Sequence, residues 1–184
     1  MLGFRLERWD ERAPALQRRA NTAQMQAFLA GVEPEEALTA RHQRILDGMR
    51  DGNTEMFLIV LDEAGPVGSV GYWEKEWGGE TVYELGWKVL PEFQGRGLAG
   101  QALARALAHA AGRGGIRWAH AFPRIDNAAS NGLCRRAGFE LLGEVDFEFP
   151  KGNPLRCNDW RHDLSAIGGN GDGPDDPACH APRP

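Results

Sequence analysis

The chain has 184 residues, 42% of them hydrophobic, enough for one domain whose core needs no disulfide or metal staple. A net charge of −5 and a pI near 5.6, with no dense Lys/Arg block, exclude an electrostatic footprint for nucleic acid. No run reaches the roughly 18 apolar residues of a membrane span, and MLGFRLERWDER lacks the apolar core of a signal peptide. Cys134, Cys157 and Cys179 form no C-x-x-C pair, so free thiols, no metal and a cytoplasmic location are expected.

Leu2 to Arg8 alternates Leu2, Phe4 and Leu6 with Gly3, Arg5 and Glu7, the period of a half-buried strand. Ala13 to Leu29 and Pro34 to Met49 read as helices, with Glu35 and Glu36 in the second helix's first turn and Gly48 at its frayed end. Met56 to Asp62 and Val67 to Lys75 are strands joined through Glu63-Ala64-Gly65-Pro66. Glu80 to Val89 returns after Gly78-Gly79 and completes an antiparallel meander. A helix from Arg96 to Ala111 carries Ala99, Leu103, Ala106, Leu107 and Ala110 on one face, leaving Gln101, Arg105 and His109 as a solvated stripe. Ile116 to Phe122 reads as a buried strand, Asn127 to Ala137 as a helix, and Glu140 to Phe149 with Arg156 to Leu164 as a closing strand pair. From Ser165 to Pro184, Gly, Pro and Asp dominate and cannot offset their ordering entropy by burial. The domain is therefore expected over 1–164, with a disordered tail over 165–184.

Pro91 breaks the strand before Gln94-Gly95-Arg96-Gly97-Leu98-Ala99. Glycines there allow close backbone approach, and the helix that follows presents unpaired amides and the positive end of its dipole. Such a loop suits a pyrophosphate, to which Arg96 adds a charge-assisted contact. Gly95-x-Gly97-x-x-Gly100 also fits the dinucleotide fingerprint. That reading is set aside because Leu90 to Gln94 separates strand from glycine, and the next strand ends Ala121-Phe122-Pro123 without the required acid.

Gln94-x-x-Gly97-x-Ala99 strongly resembles the acyl-CoA loop of the GNAT superfamily of N-acetyltransferases. Asn127-x-x-Ser130, followed by Gly138-Phe139, is similar to that family's second landmark. The pattern is closest to the ribosomal-protein alanine acetyltransferase branch, and the resemblance spans about Phe4 to Leu164. It implies an α/β fold in the order βααβββαβαββ, a mixed, mostly antiparallel sheet flanked by helices. It further implies acetyl-CoA as the donor and a primary amine as acceptor, on a small molecule or a protein N-terminus, attacking directly in a ternary complex. Relatives often dimerise, so a homodimer is possible; neither nucleic acid nor membrane is expected as a partner.

The resemblance also implies roles for particular residues. Gln94, Gly95, Arg96, Gly97, Leu98 and Ala99 would hold the pyrophosphate, and Val89 and Leu90 would mark where the strand splays to admit pantetheine. Asn127 and Ser130 would meet the pantetheine arm. At Cys134 many relatives have a tyrosine that protonates the departing thiolate, so Ser130 or Cys134 is left for that step. Without the tyrosine, a CoA-binding regulatory domain lacking turnover is the alternative. The base candidates are Glu84 and Glu148, carboxylates within apolar or aromatic strands, where partial burial raises the pKa. Phe28, Trp73, Trp77, Trp87, Phe147, Asn158, Asp159 and Trp160 would line the acceptor pocket, aromatics beside acids suiting a cationic amine.

Overall fold

The computed structural model describes residues 3–149 and 151–169. Its elements are β1 (Phe4–Arg8), α1 (Ala13–Arg19), α2 (Glu35–Asp51), β2 (Thr54–Leu61), β3 (Gly65–Trp77), β4 (Glu80–Val89), α3 (Leu98–Arg113), β5 (Trp118–Ala121), α4 (Ala128–Arg136), β6 (Glu140–Glu148) and β7 (Pro154–Asp163). The seven strands form one sheet in the order β1-β2-β3-β4-β5-β7-β6, and only β4 and β5 run parallel. This is the expected mixed sheet with helices on both faces.

Small residues set how closely α3 approaches the sheet. Ala102, Ala106 and Ala110 are fully buried, so the helix lies close over Val70, Tyr72, Tyr83 and Leu85. On the opposite face Trp9, Leu16, Met56, Leu58, Val60 and Leu90 form a second core, against which Ile45, Leu46 and Met49 of α2 pack. Of the expected solvated stripe of α3, Arg105 is exposed and Gln101 half-buried, while His109 is drawn into the packing. His109 hydrogen-bonds the Tyr72 hydroxyl at 2.6 Å and meets the Phe57 ring edge-on, while Arg105 lies over the Phe4 ring at 4.3 Å.

Two helix boundaries differ from expectation for identifiable reasons. The first helix ends at Arg19 rather than Leu29, because Asn21 clamps the Glu33 backbone: its Nδ2 donates to the Glu33 carbonyl at 2.8 Å and its Oδ1 accepts the Glu33 N–H at 2.9 Å. Residues 23–30 are turns. α2 runs through Gly48 to Asp51 and closes on Gly52 in the left-handed region (φ 82°); a Cβ on Gly48 would run into the Thr54 hydroxyl. The chain continues past the expected domain end as a 3-10 segment, Leu164–Gly169, packed on α3, with Leu164 buried and Ile167 against the core. The rest of the tail, 170–184, lies outside the described residues.

What positions the site is the division of the sheet. β4 and β5 share only the rungs Tyr83–Ala119 and Glu84–His120. Beyond them β4 stays with β3 as far as Val89–Gly68, and the Leu90 N–H reaches the Val67 carbonyl at 2.9 Å. The chain after β5 instead follows β7: the Pro123 carbonyl accepts the Asn158 N–H, and Arg124 bridges to Cys157. Each strand is held to its outer neighbour, so the two halves of the sheet part between them.

Candidate active site

A cavity of about 420 Å3 opens where the strands part. Backbone groups alternate in direction along a strand, and Leu90 points its N–H at β3, so Trp87 and Val89 present theirs along the open edge, joined by the Leu85 carbonyl, while the Leu85 N–H closes the last rung on His120. One is already taken: the Gln94 amide donates to the Val89 carbonyl at 2.8 Å. Leu90, expected beside the splay, is buried in the second core, and with its N–H held by Val67 it offers the edge nothing.

The loop after β4 has the backbone an anion needs. Gly95 and Gly97 adopt φ of 72° and 76°, a region where a Cβ is strained. Gly97 caps α3 without any side-chain hydrogen bond, and Leu98 and Ala99 begin a first turn free of acids. The first amides of this sixteen-residue helix therefore face outward with the positive end of the dipole. Arg96 lies over the Phe93 ring at 5.3 Å and donates to the Glu92 carbonyl at 2.8 Å, remaining at the loop surface. Two glycine-supported turns, an uncapped helix start and an open strand edge together fit a diphosphate with a linear arm.

Asn127 and Ser130 line the cavity from the start of α4, where Asn127 Oδ1 accepts the Ser130 N–H at 3.1 Å. Cys134 does not: it is fully buried in the core, and desolvation pushes its thiol up to about 12. Of the two carboxylates, Glu84 lies on the cavity wall at the last shared rung, with its side chain 13% exposed and Lys75 Nζ at 3.0 Å. Burial raises the Glu84 pKa, and Lys75 opposes that shift. Glu148 is exposed on the β6–β7 hairpin, where its Oε2 accepts the Gly152 N–H at 3.2 Å, and the structure does not bring it to the cavity.

The expected acceptor residues fall into two groups. Phe28, Trp73, Trp87 and Phe147 line the cavity, joined by Phe122 and Phe149. Gly86 makes room for Trp73, whose ring edge would meet a Cβ there at 2.9 Å. Asn158 and Trp160 turn toward α4 instead, and both donate to Asn131 Oδ1, at 2.7 and 2.8 Å. Asp159 points the other way but is occupied: it accepts from His120 Nδ1 at 2.6 Å and from Trp77 Nε1 at 2.9 Å. These four are corrections, since none of them borders the cavity.

Several lining residues went unnoticed in the sequence. Lys88 and Ser69, opposite one another in register, lie on the face covered by α1 and α2, and Gln17 and Arg41 approach from those helices. Only Lys88 left a signal, since Glu84-x-Gly86-x-Lys88 puts polar or small residues on one face of an otherwise apolar strand. Nothing in the surroundings of Gln17 or Arg41 marked them.

A family model described as Acetyltransferase (GNAT) domain matches residues 3–140. No curated protein sequence matches significantly. Among solved structures, RimL, a ribosomal L7/L12 alpha-N-protein acetyltransferase in complex with coenzyme A disulfide-bonded to one of its cysteines, is 27% identical; the match covers 90% of this chain and 98% of that one, with a TM-score of 0.75. An acetyltransferase from Salmonella typhimurium that modifies the N-terminal serine of L7/L12 is 24% identical, covering 89% and 96%, with a TM-score of 0.71. A microcin self-immunity acetyltransferase in complex with acetyl-CoA and AMP shares the fold at 16% identity, covering 87% and 92%, with a TM-score of 0.71.

Proposed function

Because the chain belongs to the GNAT acetyltransferase family, we propose that it transfers an acetyl group from acetyl-CoA to a primary amine seated in the cavity between β4 and β5. Bound acetyl-CoA supplies an activated thioester carbonyl and a thiolate leaving group. The amides of Gly95 to Ala99 hold the pyrophosphate, and the open edge of β4 from Leu85 to Val89 pairs with the arm. Asn127, while capping α4, borders the same channel.

Glu84 is the base. Its raised pKa lets it take the proton of an arriving ammonium, and its place on the last shared rung puts it where the channel meets the cavity. The amine nitrogen then forms a bond to the carbonyl carbon, the carbon–sulfur bond breaks, and the nitrogen's second proton passes to sulfur through the Ser130 hydroxyl, which gives one proton and regains one. A backbone N–H of the open β4 edge stabilises the oxyanion. Direct attack suits this site because Cys134 lies in the core and His120 is committed to Asp159.

The observation that carries the reading is the parting of β4 from β5 immediately beyond Glu84, beside an uncapped helix start. It is tested by release of free thiol from acetyl-CoA across amino acids, polyamines, aminoglycosides and peptide N-termini. Turnover with one class, reduced about 10²- to 10³-fold by Glu84→Gln, is expected. Binding of CoA by calorimetry without turnover on any of them would instead favour a regulatory domain. A protein N-terminus is the acceptor we favour, on the likeness to the two L7/L12-modifying enzymes.

A further inference from the structure

The charge lining the cavity is unusual for a site that must take an amine. Among the described residues its ionisable lining consists of Arg41, Arg44, Lys88 and Arg124 against the single acid Glu84. Arg124 is neutralised by Asp126 at 2.6 Å. Arg41 is balanced in charge by Glu33, which meets one guanidinium nitrogen at 2.6 Å, but its Nε and Nη2 are buried donors without a partner in the protein. Lys88 pairs with no carboxylate among the described residues, and the acid whose charge reaches it, Glu33, is the one Arg41 already holds.

Neutral polar groups at the same end are also unsatisfied. Gln17 is 1% exposed, lines the cavity, and finds no hydrogen-bond partner for either side-chain atom. The Ser69 hydroxyl, 1% exposed and across from Lys88, likewise has none. A buried amide or hydroxyl left unpaired is costly, so such a group persists where something else completes it. Gln17, Ser69, Arg41 and Lys88 converge from α1, β3, α2 and β4, and together they offer at least four donors and a net positive charge.

We propose that this corner is a subsite for an anionic group on the acceptor: the substrate is an amine that also carries a carboxylate or phosphate. The inference rests on the transferase reading above and narrows its substrate class. Glu84 and Lys88 stand on one face of β4 four residues apart, roughly 13 Å between Cα atoms at the rise of a strand. The amine therefore lies at the Glu84 end and the anion several bonds away, which suits an extended peptide with an acidic side chain near its N-terminus better than a free α-amino acid. The corner faces α1 and α2, whereas the pyrophosphate loop leads into α3 on the other side of the sheet, so the two anion sites are separate. Desolvation lowers the Lys88 pKa to about 8. An anion seated beside it would raise that value again.

The test compares tetrapeptides that differ only at positions two and three: Asp or Glu, their amides Asn or Gln, and phosphoserine. With wild-type protein the acidic peptides are expected to exceed the amides about ten- to a hundredfold in kcat/KM, mainly through KM. Calorimetric binding to the protein–CoA complex should show the same order. A larger gain for phosphoserine identifies phosphate as the preferred anion, and a larger gain for Asp or Glu identifies carboxylate. Lys88→Met and Gln17→Leu should each collapse the ratio toward one. Equal turnover of acidic and amide peptides by the wild type overturns the inference and leaves the transferase reading standing. Absence of turnover with every amine overturns both.

Discussion

Asn131 is the residue whose replacement would most directly test how the structure holds α4. Its buried side chain makes four hydrogen bonds: Nδ2 donates to the carbonyls of Arg124 (2.8 Å) and Asn127 (2.9 Å), while Oδ1 accepts from Asn158 Nδ2 (2.7 Å) and Trp160 Nε1 (2.8 Å). It thus ties the loop after β5, the start of α4 and strand β7 at one point. Asn131→Ala removes all four bonds and leaves the Trp160 N–H without its partner in a residue 3% exposed. At about 1 kcal/mol net per bond, and about 1–3 for a buried group left unpaired, the expected loss is about 3–5 kcal/mol, a large fraction of the total stability of a domain. Urea unfolding at neutral pH reads it as a lowered midpoint with an unchanged slope. Asn131→Asp discriminates further, since a carboxylate keeps both accepted bonds but repels the two carbonyls. Burial raises that carboxyl's pKa above its unfolded value, so the variant is most stable at low pH and loses stability as pH rises through the folded value. A loss below about 1 kcal/mol for Asn131→Ala, or no pH dependence for Asn131→Asp, would refute this account of α4.

Further outcomes follow from the same geometry. Desolvation raises the Glu84 pKa, so kcat/KM should climb with pH through an apparent value above the ordinary carboxylate range and then level; Glu84→Gln should remove that limb. Gly86→Ala puts a Cβ 2.9 Å from the Trp73 ring edge and should raise the acceptor KM severalfold while leaving the KM for acetyl-CoA unchanged. Gly97→Ala forces a side chain into φ 76°, at about 1 kcal/mol, and should weaken CoA in calorimetry by about fivefold. Burial raises the pKa of both Cys134 and Cys157, so with Cys179 replaced by serine, native protein should release almost no thionitrobenzoate from Ellman's reagent at pH 8 until denaturant is added.

The conformation of the proposed cofactor half was legible in the sequence because it is local. Gln94 to Ala99 and Asn127 to Ser130 are continuous segments whose helix starts and positive φ are properties that neighbouring residues dictate. The cavity wall was less legible because α1, α2, α4 and strands β2 to β7 all contribute to it. Trp73 and Trp77 look alike in the sequence, yet Trp77 is engaged by Asp159 near the end of β3 whereas Trp73 faces the cavity. Asn158, Asp159 and Trp160 looked like a polar cluster; strand alternation sends two toward α4 and one toward His120. The early end of α1 escaped notice for a similar reason, since the clamp from Asn21 to Glu33 spans a loop that no helical periodicity reveals.

Three kinds of incomplete polar chemistry meet at the split in the sheet. They are an open strand edge from Leu85 to Val89, an uncapped start to α3, and the unpartnered side chains of Gln17, Ser69 and Arg41. Elsewhere, Arg161 Nε apart, the described buried polar groups are closely paired, with Asn131 to four partners, Asp159 to two and His109 to Tyr72. Unsatisfied groups each cost stability, and their concentration at one place separates what the domain needs in order to fold from what a ligand completes. The strand edge and helix start call for a long linear molecule ending in a diphosphate. The side chains call for a different partner, one with an amine at Glu84 and an acid beside Lys88. The two sets adjoin along β4, whose edge groups at Leu85, Trp87 and Val89 alternate with the side chains of Glu84 and Lys88 on the face toward α1 and α2, so the two substrates of the proposed transfer would meet at one strand.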